Sequence, residues 1–365
     1  MPYVVVGSVA FIVTFLTTPL VRWLVVRLGA IDKPNDRKVH AMPTPTLGGL
    51  AMFLGILAAG AVAFFSGDFE RVFEQSSEAW GIAAGGLVIF ILGAVDDIRD
   101  LPAPVKLAGQ VFAAGILFLS GVKMQFIITP DQTIFLGDDV SVLITVLWLV
   151  AMMNAINLVD GLDGLAAGIV SIASASFFVY SYNQADEFIL TNTAPLVAIM
   201  LVGVTLGFLR YNFFPAKIFM GDSGAMLLGL VLGATTVIGV GKAGVSIPST
   251  SDVFLAYFPL LIPLMVLALP FVDALLAIIR RARGRRSVFH ADKEHLHHRL
   301  MDLGHGHRQA VIVMYVWSAL AGGAGLAFTY LDSADVVFAL PIAVTALVLY
   351  TLFPAITKAI QSRLQ

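Results

Sequence analysis

Long apolar runs separated by short polar stretches dominate this chain from its first residues to its last. Most of the runs approach or exceed the roughly 20 residues that an α-helix needs to cross a bilayer. They predict an all-α polytopic membrane protein with about eleven transmembrane helices, of which the shorter ones, such as 80–95, have re-entrant or interfacial positions as alternatives. The predicted spans are 3–21, 47–65, 80–95, 104–121, 140–158, 165–182, 193–209, 225–240, 253–279, 310–330 and 336–352.

Composition agrees with a membrane location. The chain is 58% hydrophobic and 13% charged, whereas roughly 25% of the residues of a soluble domain are charged. A water-soluble protein is therefore close to excluded. The net charge of −2 gives no bulk affinity for nucleic acid. Because the sequence lacks the two related halves of many transporters, we predict a single integral membrane domain over residues 1–365.

The distribution of Lys and Arg predicts the orientation, because these residues concentrate in cytoplasmic loops. With the N-terminus outside, only Arg71, Lys123 and Lys242 fall on the outer face, and the other 19 of the 22 Lys and Arg residues lie on the cytoplasmic side. The C-terminus is then cytoplasmic as well. On the outer face, two short β-like runs in 124–136 flank a Pro-Asp turn signal and predict a small hairpin.

Three polar clusters border or interrupt the apolar segments. Asp96 and Asp97 end one segment, a run of amides, carboxylates and glycines covers 154–164, and Asp222 opens another segment. Ionisable groups at membrane depth cost about 2.5 kcal/mol or more each, so they persist mainly where they face a polar cavity and do chemistry. Since all three clusters fall on the predicted cytoplasmic face, we expect them to form one site.

Structural roles compete with this interpretation. Adjacent aspartates can cap the helix that follows them, and Asp222 can cap the helix that it opens. The basic loop at 32–49 can serve only as a cytoplasmic anchor. The run at 154–164 is harder to explain in this way, because it places two amides, two carboxylates and two glycines within eleven residues. This density favours a ligand site over a polar helix interface.

The residue types indicate which ligand the site binds. Mg²⁺ prefers oxygen ligands and is usually held by one or two carboxylates together with substrate phosphates. Because the chain has no Cys, its Asp and Asn side chains indicate Mg²⁺ bound to a diphosphate. The histidines of 290–299 stand among basic residues, which favours anion recognition over zinc.

Five motifs, in order along the chain, carry a resemblance to a known family. They lie at 32–49, at Asp96 and Asp97, at 154–164, at 211–222 and at 290–308. Over essentially its whole length the chain resembles the polyprenyl-phosphate N-acetylhexosamine-1-phosphate transferases. Within them it is most similar to the bacterial undecaprenyl-phosphate N-acetylglucosaminyl 1-phosphate transferase type. The related enzymes that transfer phospho-N-acetylmuramoyl-pentapeptide have three consecutive histidines in the last motif, where this chain has His295-Leu-His297-His298.

The resemblance implies a reaction in the bacterial cytoplasmic (inner) membrane, with the site facing the cytoplasm. UDP-N-acetylglucosamine gives its sugar-1-phosphate to undecaprenyl phosphate, which releases UMP and forms the lipid-linked diphosphate sugar that starts cell-envelope glycan synthesis. Such a transfer depends on positioning and charge neutralisation more than on covalent chemistry with the protein. Mg²⁺ is the implied cofactor, with Mn²⁺ as a substitute.

Motif matching also implies roles for individual residues. Asn157 and Asp222 would hold the metal, Asp96 and Asp97 would position or deprotonate the acceptor phosphate, and Lys106 would offset phosphate charge. Phe219 would stack on uracil, and the loop 290–299 would close over the sugar. The predicted substrate-binding residues are Lys38, His40, Lys106, Asn154, Asp160, Asp163, Asn212, Phe219, His295, His297, His298 and Arg299.

Other functions stay open at this point. The first alternative is a phospho-N-acetylmuramoyl-pentapeptide transferase of peptidoglycan synthesis, although Arg99 stands where such relatives often carry Lys. A lipid-linked transporter or flippase is the alternative from another class; its binding site would lie at the membrane midplane, whereas these motifs gather on one face. The predicted partners are a UDP-sugar, undecaprenyl phosphate and membrane lipids, and the sequence leaves open whether the protein forms a homodimer.

Overall fold

Helices make up most of the computed structural model, which describes residues 1–32, 43–128, 132–183, 192–242, 257–268, 300–301, 303–330 and 333–364. The helices are α1 (Pro2–Leu28), α2 (Gly49–Phe65), α3 (Glu70–Gln75), α4 (Glu78–Arg99), α5 (Ala103–Leu119), α6 (Asp138–Val159), α7 (Leu165–Asn183), α8 (Thr193–Asn212), α9 (Gly221–Lys242), α10 (Phe258–Val266), α11 (His307–Tyr330) and α12 (Ser333–Leu364). The strands are β1 (Ile31–Asp32), β2 (Thr44–Pro45), β3 (Phe126–Ile128) and β4 (Thr133–Phe135).

Seven helices in the described ranges are long and apolar enough to cross a membrane, namely α1, α4, α6, α7, α8, α9 and α11. Helices α2 and α5 and the Phe338–Pro354 part of α12 are apolar but shorter. Every predicted segment contains a helix in its described part, which confirms a multi-pass helical protein, while the count of eleven spans stays a prediction. The segment 80–95, with a re-entrant alternative, extends to the 22 residues of α4.

Two further predictions concern local structure. The predicted hairpin is present: β3 and β4 pair antiparallel, with Phe126 opposite Phe135, and its place on the outer face stays a prediction. In the proline-rich segment 253–279, the structure describes α10 with Pro263 inside it. Because 269–279 lies outside the described residues, a bend over the whole segment is untested. The sequence did not predict the short helix α3.

Helix α9 lies at the centre of the bundle, in contact with α2, α4, α6 and α8. Its small residues permit close approach of neighbouring backbones, as is usual between helices in membranes. Gly229 packs against the backbone of Met153 in α6, and Trp148 of α6 donates a 2.9 Å hydrogen bond to the Thr236 hydroxyl. These pairs advance in opposite directions along the two helices. Helices α6 and α9 are therefore antiparallel, and the end of α6 meets the beginning of α9.

Other neighbouring helices also run in opposite directions, so many helix ends lie together at one end of the bundle, here called the site end. Helices α4, α6 and α8 finish there, and α5, α7, α9 and α11 begin there. The N-terminus lies at the opposite, remote end, where Tyr3 packs against Phe69 and Tyr182. Arg71, on α3, belongs to the remote end too. The polar clusters thus share one face, and which face meets the cytoplasm stays a prediction.

Candidate active site

The segment that leads into α9 is held like a strand against the residues that precede α2. The Phe219 amide donates to the Pro45 carbonyl at 2.8 Å, while the Gly48 amide donates to the Phe219 carbonyl at 2.9 Å. Gly49 continues the ladder with a 3.0 Å bond to the Met220 carbonyl. These backbone bonds fix the first turn of α9 and place the half-buried Phe219 ring beside it.

Asp97, in the last turn of α4, accepts hydrogen bonds from the first turn of α9. Its Oδ1 accepts from the Asp222 amide at 2.8 Å, and its Oδ2 accepts from the Ser223 amide at 3.2 Å and the Ser223 hydroxyl at 2.8 Å. The Thr46 hydroxyl donates a long bond of 3.5 Å to Oδ1. Both oxygens of the Asp97 carboxylate therefore accept hydrogen bonds from the first turn of α9.

Asp96 points to a different set of partners. Its Oδ1 accepts a 2.7 Å hydrogen bond from the Leu101 amide, and its Oδ2 forms an ion pair with Lys106. Lys106 also reaches Asp222, with 3.2 Å between Nζ and Oδ2. The Asp96 side chain is only 2% exposed, against 26% for Lys106 and 27% for Asp222. Lys106 thus bridges a buried carboxylate and one that a ligand can reach.

Asp160 completes the acidic cluster, which we define as Asp96, Asp97, Asp160 and Asp222. Burial raises the pKa of Asp160 to about 8, and repulsion from Asp222, Asp97 and Asp163 adds to the rise. Asn157 lies one turn earlier, on α6. Among the described residues, no hydrogen-bond partner holds the Asn157 or the Asp160 side chain, so both are available to a ligand.

Two loops beside the cluster, 161–164 and 213–220, are joined to each other and are called the loop pair. The Asp163 carboxylate accepts a 2.8 Å bond from the Ala216 amide. Asn212, which is buried, accepts from the Gly164 amide at 3.1 Å and donates to the Ile218 carbonyl at 3.0 Å. Asp163 and Asn212 therefore position both loops, whatever further contacts they make.

Side chains from other helices hold the outer edges of the loop pair. The Tyr315 hydroxyl of α11 donates to the Gly164 carbonyl. His307 stacks on Phe214 with 4.4 Å between ring centroids, and Arg308 donates to the Phe214 carbonyl at 3.1 Å. On the α1 side, Arg22 donates to the carbonyl of residue 217 at 3.0 Å. The loops are thereby tied to the first and the penultimate described helices.

Asn154 was predicted to bind substrate, and the structure places its exposed side chain next to α5, one helical turn before Asn157. Its amide donates 2.8 Å bonds to the Gln110 side chain and to the Val150 carbonyl. Gln110 follows Lys106 by one helical turn and also contacts the Met226 sulfur at 3.3 Å. The Gln110–Asn154 pair thus lies directly beneath the Lys106–Asp222 pair. A role of Asn154 in binding substrate stays a prediction.

The remaining predicted residues lie outside the described part of the chain. This applies to two residues of the first loop and four of the histidine-rich loop. Their roles stay predictions, as does the choice of sugar that rests on them. They are Lys38, His40, His295, His297, His298 and Arg299.

Several residues that shape this site were not predicted from the sequence. Thr46 stood within a recognised motif, and Ser223 directly followed another, where a hydroxyl next to the Asp222 carboxylate was the available signal. Gln110 carried a signal too, since an amide in an apolar helix is a candidate functional group. Tyr315 gave none, because it is one aromatic residue among many in an apolar segment.

The donor set fits the predicted magnesium ion when a diphosphate supplies further ligands. In the described ranges, no three His, Asp or Glu side chains converge as a ligand set of their own. Mg²⁺ commonly takes only one or two carboxylates from the protein and the rest from phosphate and water. Burial raises the pKa of Asp160, and repulsion from neighbouring carboxylates adds to the rise; a divalent cation would offset that repulsion. Asp222, accessible and at the edge of the cluster, suits such a bridging ligand.

The amino-acid sequence is similar to those of known transferases. The model of glycosyl transferase family 4 matches residues 79–240. The chain is 37% identical to the decaprenyl-phosphate N-acetylglucosaminephosphotransferase of Mycolicibacterium smegmatis, over 97% of this chain and 88% of that protein. It is 38% identical to the probable undecaprenyl-phosphate N-acetylglucosaminyl 1-phosphate transferase of Bacillus subtilis, over 84% of this chain and 81% of that protein.

More distant similarity extends to the undecaprenyl-phosphate alpha-N-acetylglucosaminyl 1-phosphate transferase of Salmonella typhi, at 27% identity over 88% of this chain and 82% of that protein. The long matches cover both the helices and the loops that build the acidic cluster. The resemblance inferred from five sequence motifs is confirmed. This chain belongs to the polyprenyl-phosphate N-acetylhexosamine-1-phosphate transferases, within glycosyl transferase family 4.

Proposed function

We propose that this protein transfers N-acetylglucosamine-1-phosphate from UDP-N-acetylglucosamine to undecaprenyl phosphate. Its similarity to relatives named for such transfers, over nearly the whole chain, supports the proposal. The observation that carries it is the position of Asp222, which is accessible, bound by Lys106 and surrounded by further carboxylates at one end of the bundle. A phosphate-rich substrate requires both a metal-binding carboxylate and a cation at such a point.

In the proposed reaction an oxygen of the lipid phosphate attacks the phosphorus that carries the sugar. The bond between that phosphorus and the bridging oxygen of the diphosphate breaks, and UMP leaves with the bridging oxygen. The new bond joins the two phosphates of a lipid-linked diphosphate sugar. The protein orients the two phosphates in line and offsets their charge.

Asn157 and Asp222 are the residues that would hold Mg²⁺ on the diphosphate. When bound, the ion would neutralise charge that develops on the phosphate oxygens. Lys106 offsets further phosphate charge from the α5 side, and the buried Asp96 carboxylate keeps its ammonium group aimed at Asp222. The Asp96–Lys106 pair is thus the proposed acceptor side of the site.

The loop pair is the proposed donor side. Phe219 is fixed by backbone bonds beside the first turn of α9 and would stack on uracil. Asp163 and its neighbours would lie along the nucleoside, within loops that Asn212 joins. The loop 290–299 would select the sugar. Replacement of His297 by Ala should then reduce turnover of UDP-N-acetylglucosamine far more than binding of UMP.

We place the site end at the cytoplasmic face of a bacterial inner membrane. Both substrates would then reach it from the side where UDP-sugars are made. The chain has no Cys, so single introduced cysteines test this orientation directly. In intact cells, a cysteine at exposed Asp100 of the site end should react only with membrane-permeant reagents. One at exposed Asp139, at the remote end, should react with impermeant reagents, and the reverse pattern would overturn the orientation.

A purified-enzyme assay tests the proposed function. UMP release should require undecaprenyl or decaprenyl phosphate, UDP-N-acetylglucosamine and Mg²⁺ together, and it should stop when the metal is chelated. UDP-N-acetylmuramoyl-pentapeptide should be a poor donor. Preferential use of the pentapeptide donor would support the first alternative, while no release from either donor would reject the family's reaction for this chain.

A further inference from the structure

The two adjacent aspartates at the end of α4 make different contacts: Asp96 pairs with Lys106 and contacts the Asp222 carboxyl, whereas Asp97 bonds to the backbone amides of α9. We propose that Asp97 is a positioning residue, which caps α9 from α4 and thereby holds Asp222 in place. It would then have no part in removing a proton from the acceptor phosphate. This inference deepens the proposed function and rests on it for the role of Asp222.

The hydrogen bonds of Asp97 are those of a helix cap. The first amides of a helix have no partner within it, and the helix N-terminus favours a negative group. Asp97 supplies the missing acceptor and the negative charge. It accepts hydrogen bonds from the amides of Asp222 and Ser223 at 2.8 and 3.2 Å and from the Ser223 hydroxyl at 2.8 Å. A general base needs an oxygen that faces the proton to be removed. Both oxygens of Asp97 face α9 instead.

In the described part of the chain, the Asp222 carboxylate accepts no hydrogen bond from the amides of its own helix. Its carboxylate Oδ2 is directed to Lys106, 3.2 Å away. If Asp222 turned back to its own amides, the Lys106 pair would be lost and the proposed metal ligand would leave the site. The cap from α4 therefore leaves the Asp222 carboxylate available for the ligand.

The backbones of α4 and α9 also approach closely at this point. A Cβ added to Gly93 of α4 would collide with the backbone of Ser223, and one added to Gly221 would collide with the Asp97 carboxylate. Gly221 has φ +70°, a conformation that side-chain-bearing residues rarely adopt. The glycines let the carboxylate reach the helix end directly, so a shift of Asp97 would be transmitted to Asp222.

The chemistry does not require a base at Asp97. A phosphate monoester has a second pKa near 6, so most of the acceptor is already a dianion at pH 7 and above. Its oxygen can attack without giving up a proton to the protein. Electrostatic positioning by Lys106 and a metal then becomes the main requirement, and that positioning depends on the first turn of α9.

Hydrogen exchange of the substrate-free protein tests the cap separately from catalysis. In the near-isosteric variant Asp97→Asn, amide exchange in a peptide covering the start of α9 should be about tenfold or more faster, because a charged acceptor is replaced by a neutral one. The nearby variant Asp100→Asn, at an exposed aspartate, is the matched control and should leave exchange at that peptide within about twofold of the wild type. Unchanged exchange in Asp97→Asn would overturn the proposal.

Kinetics of the same variants supply the second readout. Asp97→Asn should lower kcat about 10- to 100-fold, raise the Mg²⁺ concentration needed for half-maximal rate, and leave the pH profile of the residual activity unchanged. Ser223→Ala should shift the Mg²⁺ requirement in the same direction, and the double variant should be less impaired than the sum of the singles. Loss of the profile's acidic limb in Asp97→Asn would identify a base and reject the positioning role. A wild-type protein without turnover would reject the proposed function, while the exchange result would still decide the cap.

Discussion

The acidic cluster and the loop pair lie side by side, and they are held by different kinds of interaction. In the loop pair, Asp163 accepts a hydrogen bond from the Ala216 amide of the opposite loop, and Asn212 bonds to backbone groups of both loops. In the acidic cluster, carboxylates stand near one another, and Lys106 is the cation that pairs with them among the described residues. The fold itself satisfies the polar groups of the loop pair, whereas the carboxylates of the acidic cluster repel one another and Lys106 offsets this repulsion only in part.

This difference separates two tasks. A region with satisfied hydrogen bonds presents a fixed surface, which suits recognition of a rigid group such as a nucleoside. A region with excess negative charge is costly for the fold, and it becomes favourable when a cation and a phosphate arrive together. We therefore expect variants of the cluster to impair the chemical step and variants of the loop pair to impair substrate affinity.

Replacement of Asp222 should have the largest effect. Asp222→Asn removes the charge that holds the proposed metal and one of the two partners of Lys106, so kcat should fall by about 10³-fold or more. The matched control is Asp139→Asn, an exposed aspartate in the first turn of α6 at the remote end, which should keep wild-type activity. Steady-state UMP release measures both. Near-normal activity of Asp222→Asn would show that this carboxylate is only a structural group.

Removal of the Lys106 charge should have the second largest effect on turnover. Lys106→Met leaves the buried Asp96 without its cation, and loss of charged hydrogen bonds of about 1.5–3 kcal/mol each corresponds to a roughly 10- to 150-fold lower kcat. Lys106→Arg should recover part of the rate, and Lys123→Met at the remote end should have no effect. If Lys106→Met raised KM for the UDP-sugar without changing kcat, the lysine would belong with the loop pair.

A smaller effect is expected in the loop pair. Asp163→Ala removes the acceptor of the Ala216 amide and should raise KM for the UDP-sugar about tenfold, with kcat nearly unchanged. A hydrogen bond to a charged group contributes about 1.5–3 kcal/mol, and solvent at the partly exposed Asp163 puts the loss at the lower end. Asp163→Asn keeps an oxygen acceptor and should lie close to the wild type. Equal defects in the two variants would mean that the Asp163 charge itself contacts the substrate.

The smallest predicted effect is on stability. Since the pKa of Asp160 is raised to about 8, the folded protein binds a proton there that the unfolded chain releases near pH 4. The contribution of Asp160 to the free energy of unfolding therefore falls as pH rises from about 4 to 8. In metal-free detergent solution, Asp160→Asn should flatten the decline of Tm between pH 5.5 and 8.5. An unaltered slope in this variant would show that Asp160 is not the titrating group.

The sequence predicted the membrane class and most of the cluster, for a physical reason. Asp97, Asp160 and Asp222 border apolar segments, and antiparallel helices must bring alternate loops to the same face. The family resemblance then assigned roles within that face. Both inferences use features that can be read directly from the order of residues along the chain.

Other features were out of reach because they depend on contacts between distant segments. Helix caps are recognised from neighbouring residues, so a cap that Asp97 provides to α9 across 125 positions has no local signature. The pairing of Asn154 with Gln110 depends on how α5 and α6 are rotated against each other. Tyr315 reaches the loop pair only because α11 packs on α7. Such contacts follow from packing that a single sequence does not specify.

The fate of one phosphorus atom tests the central proposal most directly. UDP-N-acetylglucosamine labelled with ³²P at the phosphate next to the sugar would be incubated with the enzyme, Mg²⁺ and undecaprenyl phosphate, and the lipid and nucleotide products would be separated. We predict that the label enters the lipid product in step with the sugar and that the released nucleotide is unlabelled UMP. Labelled UDP, with sugar but no label in the lipid, would show transfer of the sugar alone and contradict the account.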